Sequence, residues 1–308
     1  MTTSPRPVLL IGGPTASGKT ALSLMAAREL DGEIINADSM QIYRELPVLS
    51  AQPDDRERGD IPHHLFGVLG VDTPGSTGWW AREALARLNE VRAQGKTPIL
   101  VGGTGLYFNA LTVGLAEIPE TSAEARAISE ALEAKGMPAL REAAERFDPD
   151  AAGRALGDDR QRLRRIVEVG ETTGRALSEF QKDTTPLLEP ESWRGVVVEP
   201  DRAELYARIN ARFDAMLAAG ALDEARAVAH HDRTSPALKA VGLPSLLAHL
   251  DGESELQTAI DLAKRDSRRY AKRQYTWFRN QCANWSRIGT LDVTLAHAEF
   301  RDLLAKLV

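Results

Sequence analysis

The sequence predicts an α/β fold, a doubly wound parallel sheet with a helical insertion lobe and a helical C-terminal region. Three observations predict it. Short apolar runs alternate with helical patterns long enough to serve as crossover connections, the signature of a parallel sheet. A glycine-rich turn stands between the first apolar run and the first helix, where an open α/β sheet places its ligand. The alternation then stops between Leu115 and Pro190, where Ala, Glu and Arg dominate and no convincing strand occurs.

Strands are expected at 8–11, 33–36, 66–69, 98–101 and 195–198, each a short apolar run rich in Val, Ile, Leu or Phe. Helical patterns cover 19–30 after the first strand and 78–94 before the fourth. Trp79 and Trp80 are read as packing at the start of the second of these helices. The stretch 115–190 has helix periodicity broken at "KGMP", "DPDAAGR" and "TTGR", so it reads as a helical insertion lobe. Residues 1–114 and 191–308 then form the core. After Glu199 the chain is expected to be helical to its end.

Composition bounds the class. The 308 residues are 43% hydrophobic and 27% charged, ordinary for a globular protein. No apolar run reaches the roughly 18 residues of a membrane span, so no membrane association is expected. The single cysteine, Cys282, excludes an internal disulfide and a cysteine-based zinc site. That usage and the lack of an apolar N-terminal signal segment make a cytoplasmic location the expectation. The net charge of −6 argues against nonspecific coating of nucleic acid, although it leaves room for a local basic groove.

The first motif is "GGPTASGKT", whose Gly13, Pro14, Thr15, Ala16, Ser17, Gly18, Lys19 and Thr20 fit G-x-x-x-x-G-K-[ST] between a strand and a helix. Such a P-loop turns backbone N–H groups inward around phosphate oxygens, and the helix N-terminus adds partial positive charge. Lys19 reaches the outer phosphate and the Thr20 hydroxyl is placed to ligate Mg²⁺. The loop binds a di- or triphosphate without specifying which. No N-K-x-D segment marks a guanine-specific switch, and no apolar strand ends in Asp-Glu as in a motor ATPase. A small-molecule kinase remains open.

Two further stretches end at the same sheet edge. In "IINADSMQIY", Asp38 falls just past the second strand, where its carboxylate serves either as proton acceptor or Mg²⁺ ligand, or as a plain turn cap. In "PILVGGTGLYFNAL", Thr104 is the polar side chain of a glycine turn, and the plainer reading is a tight strand-to-helix connection. His63 and His64, adjacent on an extended segment, point to opposite faces and do not share a metal ion.

Basic charge is concentrated late. "SELQ" at 254–257 reads as a capping box opening a long helix. On it Lys264, Arg268 and Lys272, and Arg265, Arg269 and Arg273, recur at four-residue spacing on one half of the surface. Ala263, Ser267, Tyr270 and Gln274 take the other half. A solvated helix face normally mixes charge signs, so this one is expected to contact RNA or diphosphate. "RQRLRR" supplies a second basic patch on the insertion lobe.

"GPTASGKT", "NADSMQIY", "PHHL", "VGGTGLY" and "YAKRQYTWFRN", in that order, resemble the bacterial tRNA dimethylallyltransferases from Val8 to about Arg279. The P-loop alone is widely shared; the ordered set of five is specific. The resemblance implies transfer of a dimethylallyl group from dimethylallyl diphosphate to N6 of the adenosine 3′-adjacent to the anticodon of tRNA. It implies Mg²⁺ on Thr20, Asp38 as the base that takes the N6 proton, Thr104 near the scissile bond, and Arg212 on the diphosphate. It also implies tRNA contacts at Asp38, Ser39, Met40, Gln41, Thr104, Arg126, Gln161, Arg162, Leu163, Arg164 and Arg165, to which the basic helix adds Lys272 and Arg273. A monomer is expected. The sequence departs from the family at Gln52, where relatives carry lysine, and at Leu243, where they carry an aromatic ring. Three other readings stand beside this one: prenylation of a free adenine nucleotide, a small-metabolite kinase, and a noncatalytic RNA-binding module.

Overall fold

The computed structural model describes residues 6–155, 157 and 159–307. Among them the chain divides into two compact units, one of residues 6–112 with 188–307 and one within 113–187.

The larger unit contains a six-stranded parallel sheet in the order β3-β2-β4-β1-β5-β6. Its first half runs β1 (Val8–Gly12), α1 (Lys19–Leu30), β2 (Gly32–Asn36), α2 (Asp55–Arg58), β3 (His63–His64), α3 (Thr77–Ala93), β4 (Thr97–Gly102) and α4 (Gly105–Thr112). The smaller unit follows with α5 (Ala123–Lys135), α6 (Met137–Phe147), α7 (Pro149–Arg154), α8 (Arg160–Thr173) and α9 (Leu177–Phe180). The larger unit resumes with β5 (Trp193–Val198), α10 (Arg202–Ala218), α11 (Ala221–Val228), α12 (Leu243–Leu250), α13 (Leu256–Gln281), β6 (Ser286–Ile288) and α14 (Val293–Leu307).

β1 lies between β4 and β5, with Ile11 opposite both Val101 and Val196. Every residue of β1, β2 and β4 is buried, which is why these strands are continuous apolar runs rather than alternating ones. Leu9, Ile11, Ile34 and Ile99 pack with Leu22 and Met25 of α1 and Phe300 of α14. On the aromatic side, Phe108 meets the Phe278 and Trp285 rings at 6.1 and 5.4 Å. Trp80 stacks on Tyr107 at 4.0 Å and donates its indole N–H to the Asn36 carbonyl at 2.8 Å, tying α3 to the end of β2. The α/β expectation is therefore met, and Trp80 is core packing.

Three local expectations are corrected. The strand expected at 66–69 is absent; the edge strand is His63–His64, paired with Ile34 and Ile35. Leu65 and Gly67 take positive φ values of 63° and 59°, which end the extension after His64 and break it again within the apolar run. The chain after Glu199 is not wholly helical, because "SRI" pairs with β5 as β6. The capping box at 254–257 does not form. α13 starts at Leu256 with Glu255 as N-cap and no side-chain cap, while Gln257 donates to Asp261 at 3.2 Å.

The smaller unit has its own core. Leu140, Leu163, Ile166 and Val167 are fully buried, and the amphipathic helices α6 and α8 supply most of it.

Candidate active site

The strand order places three loops at one sheet edge. β1 is followed by the P-loop, β2 by Asp38 and β4 by Thr104, and these strands are neighbours in the sheet. This is the switch point of an open parallel sheet, where the crevice beyond the strand ends receives the ligand.

The P-loop residues Gly13 to Thr20 wrap tightly. Gly18, at φ 93°, directly precedes α1, and Ala16 sits in the left-handed region at φ 62°. Lys19 Nζ donates to the Pro14 carbonyl at 2.6 Å. Burial lowers the Lys19 ammonium to about 7; Asp38 opposes that shift and Arg212 adds to it. Arg212, on α10, is likewise held below its ordinary value, first by burial and then by Arg208.

Asp38 is held in a tight turn. Asn36 Oδ1 accepts from the Asp38 N–H at 2.8 Å, and Asp38 Oδ1 accepts from the Met40 N–H at 2.9 Å. One carboxylate oxygen thus caps the turn, as the plainer reading held, and the other faces Gly103. The Thr104 hydroxyl accepts from the Ser39 N–H at 2.9 Å and donates to the Ser39 hydroxyl at 3.2 Å. A Cβ at Gly102 would overlap the Ala37 carbonyl, so only glycine lets the two loops come this close.

Two cavities meet here. A polar one is lined by Lys19, Thr20, Ser23, Gln41 and His63, and an apolar one by Met40, Leu49, Ile209, Phe213 and Met216. Thr15, Asp38, Ser50 and Arg212 line both. The cation-lined space and the apolar space therefore meet at these four residues, Asp38 among them.

Some site residues belong to no candidate site drawn from the sequence. Gln274, 5% exposed on α13, accepts from the Thr15 N–H and donates to the Gly103 carbonyl, both at 2.9 Å. Its amide joins the P-loop to the Thr104 loop. Tyr270 lines the apolar cavity, and burial together with Asp38 raises its hydroxyl well above the usual range. A polar residue on the uncharged half of α13 was the available clue. Gln52 donates to the Tyr43 carbonyl at 2.7 Å. His63 and His64 do point apart. His63 Nδ1 bonds the Ile61 carbonyl at 2.8 Å, and His64 Nε2 pairs with Glu33 at 2.7 Å. Cys282 is buried, which pushes its thiol up to about 12 and leaves it unreactive.

The basic half of α13 is not uniformly free. Lys264 pairs with Asp214 at 2.6 Å, Arg268 donates to Asn210 at 2.6 Å, and Arg265 and Arg269 share Asp266 at 3.1 and 3.5 Å. Lys272 and Arg273 are exposed and form no ion pair among the described residues; Arg273 lies over the Tyr270 ring at 5.5 Å.

Within the smaller unit, Arg126, Gln161 and Arg162 are exposed. Arg165 donates to the Thr121 hydroxyl at 2.7 Å. Two of the expected RNA-contact residues have their side chains engaged within the unit. Leu163 is fully buried in that unit's core, and Arg164 is held by Glu130, Glu133 and Glu168 at 3.1, 3.2 and 3.4 Å. Its guanidinium is already neutralised by carboxylates.

Comparison with known proteins agrees with this geometry. The model of the IPP transferase family matches residues 41–281, and that of isopentenyl transferase matches 6–61. The tRNA dimethylallyltransferase of Maricaulis maris (strain MCS10) is 59% identical over 301 residues, covering 97% of this chain and 98% of that protein. That of Caulobacter sp. (strain K31) is 50% identical, covering 92% and 93%. Among solved structures, the full-length tRNA isopentenylpyrophosphate transferase from Bacillus halodurans is 33% identical with a TM-score of 0.70, covering 99% of this chain and 97% of that one. A eukaryotic dimethylallyltransferase acting on tRNA is 25% identical with a TM-score of 0.79, covering 94% and 75%. With a family match over most of its length and relatives this similar from end to end, the chain belongs to the IPP transferase family.

Proposed function

We propose that the protein transfers a dimethylallyl group from dimethylallyl diphosphate to N6 of the adenosine 3′-adjacent to the anticodon in tRNA, releasing diphosphate. The observation that carries this reading is the junction of a cation-lined cavity with an apolar one, at which Asp38 and Arg212 both stand. A prenyl diphosphate has the same two halves, and its scissile bond lies between them.

In this reading the backbone N–H groups of Gly18, Lys19 and Thr20 at the start of α1, with the Lys19 and Arg212 side chains, hold the diphosphate, while the Thr15 N–H is taken by Gln274. The allylic C–O bond breaks, and the diphosphate leaves with the electron pair. The N6 lone pair forms the new C–N bond, and Asp38 takes the proton that N6 releases. An amine conjugated to a purine is a poor nucleophile, so a positioned carboxylate raises its reactivity. Preorganised cations and N–H donors stabilise the charge that gathers on the leaving group. Thr104, bonded to Ser39, keeps the Asp38 loop in register with the loop after β4. The target base must leave its stack to reach Asp38, as with other base-modifying enzymes.

The residues present fit Mg²⁺. Thr20 and Asp38 line the same cavity, and hydroxyl and carboxylate oxygens are donors that Mg²⁺ takes beside phosphate oxygens and water. Among the described residues no group of three or more His, Cys, Asp or Glu could cage an ion, which suits one that arrives with its phosphates. Mg²⁺ on Thr20 would neutralise charge on the diphosphate.

For the tRNA, Lys272 and Arg273 on α13 and Arg126, Gln161, Arg162 and Arg165 on the insertion lobe are the side chains left to bind it. Among the described residues no helix is long and apolar enough to cross a membrane. We take the working form to be a cytoplasmic monomer.

The test is direct. Protein, dimethylallyl diphosphate, Mg²⁺ and unmodified tRNA with adenosine 3′ to the anticodon should yield prenylated adenosine by mass spectrometry of the digested tRNA. Transfer to free adenine nucleotide alone, or phosphate transfer from ATP, overturns the assignment.

A further inference from the structure

Glu224 lies on α11, outside every motif of the sequence and outside the proposed chemistry. Its two carboxylate oxygens accept from successive backbone N–H groups, Oε1 from Val48 at 2.8 Å and Oε2 from Leu49 at 2.7 Å. These N–H groups open a tight turn in which Ser50 and Ala51 donate back to the Leu46 and Val48 carbonyls, both at 3.0 Å. Opening N–H groups of this kind have no partner within their own turn. The other end of the turn is held as well, because Gln41 Nε2 donates to the Ser50 and Ala51 carbonyls, both at 3.0 Å. Ala51 sits at φ 55°, a conformation that needs such support.

The turn carries Leu49 into the wall of the apolar cavity, where it faces the space also bounded by Met40, Phe213 and Met216. Glu224 makes no ion pair among the described residues, and the nearby Arg226 is engaged by Asp223. A carboxylate held in a half-buried place by two N–H groups alone is costly to keep. Its position is explained by what those two bonds fix.

We propose that Glu224 is a positioning residue that sets the depth of the apolar cavity by fixing Leu49 as its wall, and so restricts the prenyl donor to a short chain. This inference rests on the transferase reading. Two bonds from one rigid carboxylate define both the height and the tilt of the turn. Release of either lets Leu49 move outward, and a longer allylic chain then fits. Pocket walls of this kind discriminate by about 10–200-fold per methylene-sized difference.

The experiment compares kcat/KM for dimethylallyl diphosphate and geranyl diphosphate, with the same tRNA, in the parent protein, Glu224→Gln, Leu49→Ala and the double variant. Glu224→Gln keeps the shape of the side chain but turns an amide NH₂ toward one of the two N–H groups. The preference for the shorter donor should fall about tenfold in each single variant, in line with the lower end of such discrimination. The double variant should fall no further, because both changes release the same wall. A preference unchanged in Glu224→Gln, or additive losses in the double variant, overturns the proposal. If Glu224→Gln does not fold, Leu49→Ala decides, and an unchanged preference there overturns it too. Absence of prenyl transfer by the parent protein would instead refute the transferase reading.

Discussion

Gln274 offers the sharpest test of how the site is held together. Its side-chain amide uses both ends, accepting from Thr15 in the P-loop and donating to the Gly103 carbonyl beside Thr104. The substitution Gln274→Glu keeps the acceptor for Thr15 but replaces the donor with an oxygen that faces the Gly103 carbonyl. One hydrogen bond is lost and a buried carbonyl is left without a partner, together costing about 2–4 kcal/mol. The melting temperature should fall by roughly 4–8 °C, at about 2 °C per kcal/mol for a chain of this size. The larger effect should be on rate. Misplacement of the P-loop relative to Thr104 by about 1 Å is enough to cost on the order of 10²-fold. Single-turnover prenyl transfer should therefore slow by about that factor, while tRNA affinity, measured by filter binding, stays within roughly threefold of the parent. Gln274→Met, which removes both bonds at similar volume, should lose stability to a comparable degree. A Gln274→Glu protein that melts and turns over like the parent refutes the linkage. So does one that loses tRNA affinity but keeps its single-turnover rate.

Other expectations follow from the same geometry. Asp38→Asn keeps an oxygen for the Met40 N–H but removes the base, so turnover should drop about 10²–10⁴-fold with tRNA binding retained; an unchanged rate rules out the base role. Lys19 is lowered to about 7, far below the ordinary lysine value of its unfolded state. Between pH 7 and the unfolded value the unfolded chain binds more protons, so this group makes folding stability rise with pH across that window. Diphosphate favours the charged form, so its affinity by calorimetry should weaken above pH 7, by at most about tenfold per pH unit, with proton uptake on binding. The same pH profile in Lys19→Met would exclude Lys19 as its source. The double variant Lys272→Ala/Arg273→Ala should weaken tRNA binding and lower the slope of log affinity against log salt by about 0.7–0.9 for each phosphate no longer neutralised. An unaltered slope removes these side chains from the RNA interface.

The P-loop, Asp38 and Thr104 were legible because each lies within one short stretch at the end of a strand. Strand order in a parallel sheet brings such ends together. The sheet itself was legible where strands are buried on both faces, as at β1, β2 and β4. It was not legible at its edges. β3 consists of two histidines and β6 of "SRI", and neither carries an apolar run, because an edge strand forms by pairing with its neighbour. The charge pattern of α13 marked a basic half, but Asp214 and Asn210 on α10 take two of those cations. Leu163 and Arg164 stand in an apparently uniform basic stretch, yet helix geometry turns one into a core and the other toward three glutamates.

By itself the sequence determined the P-loop turn, the carboxylate beside it and the family, since each depends on residues close in the chain or on motifs in a set order. Only the tertiary structure decided which polar side chains hold these parts in place. Gln274 lies 259 positions from Thr15, and Glu224 lies 176 from Val48. A hydrogen bond between such distant residues has no local periodicity, cap or turn to announce it. It exists because the folded sheet and its packed helices bring the two groups within 3 Å, and burial then requires each to find a partner.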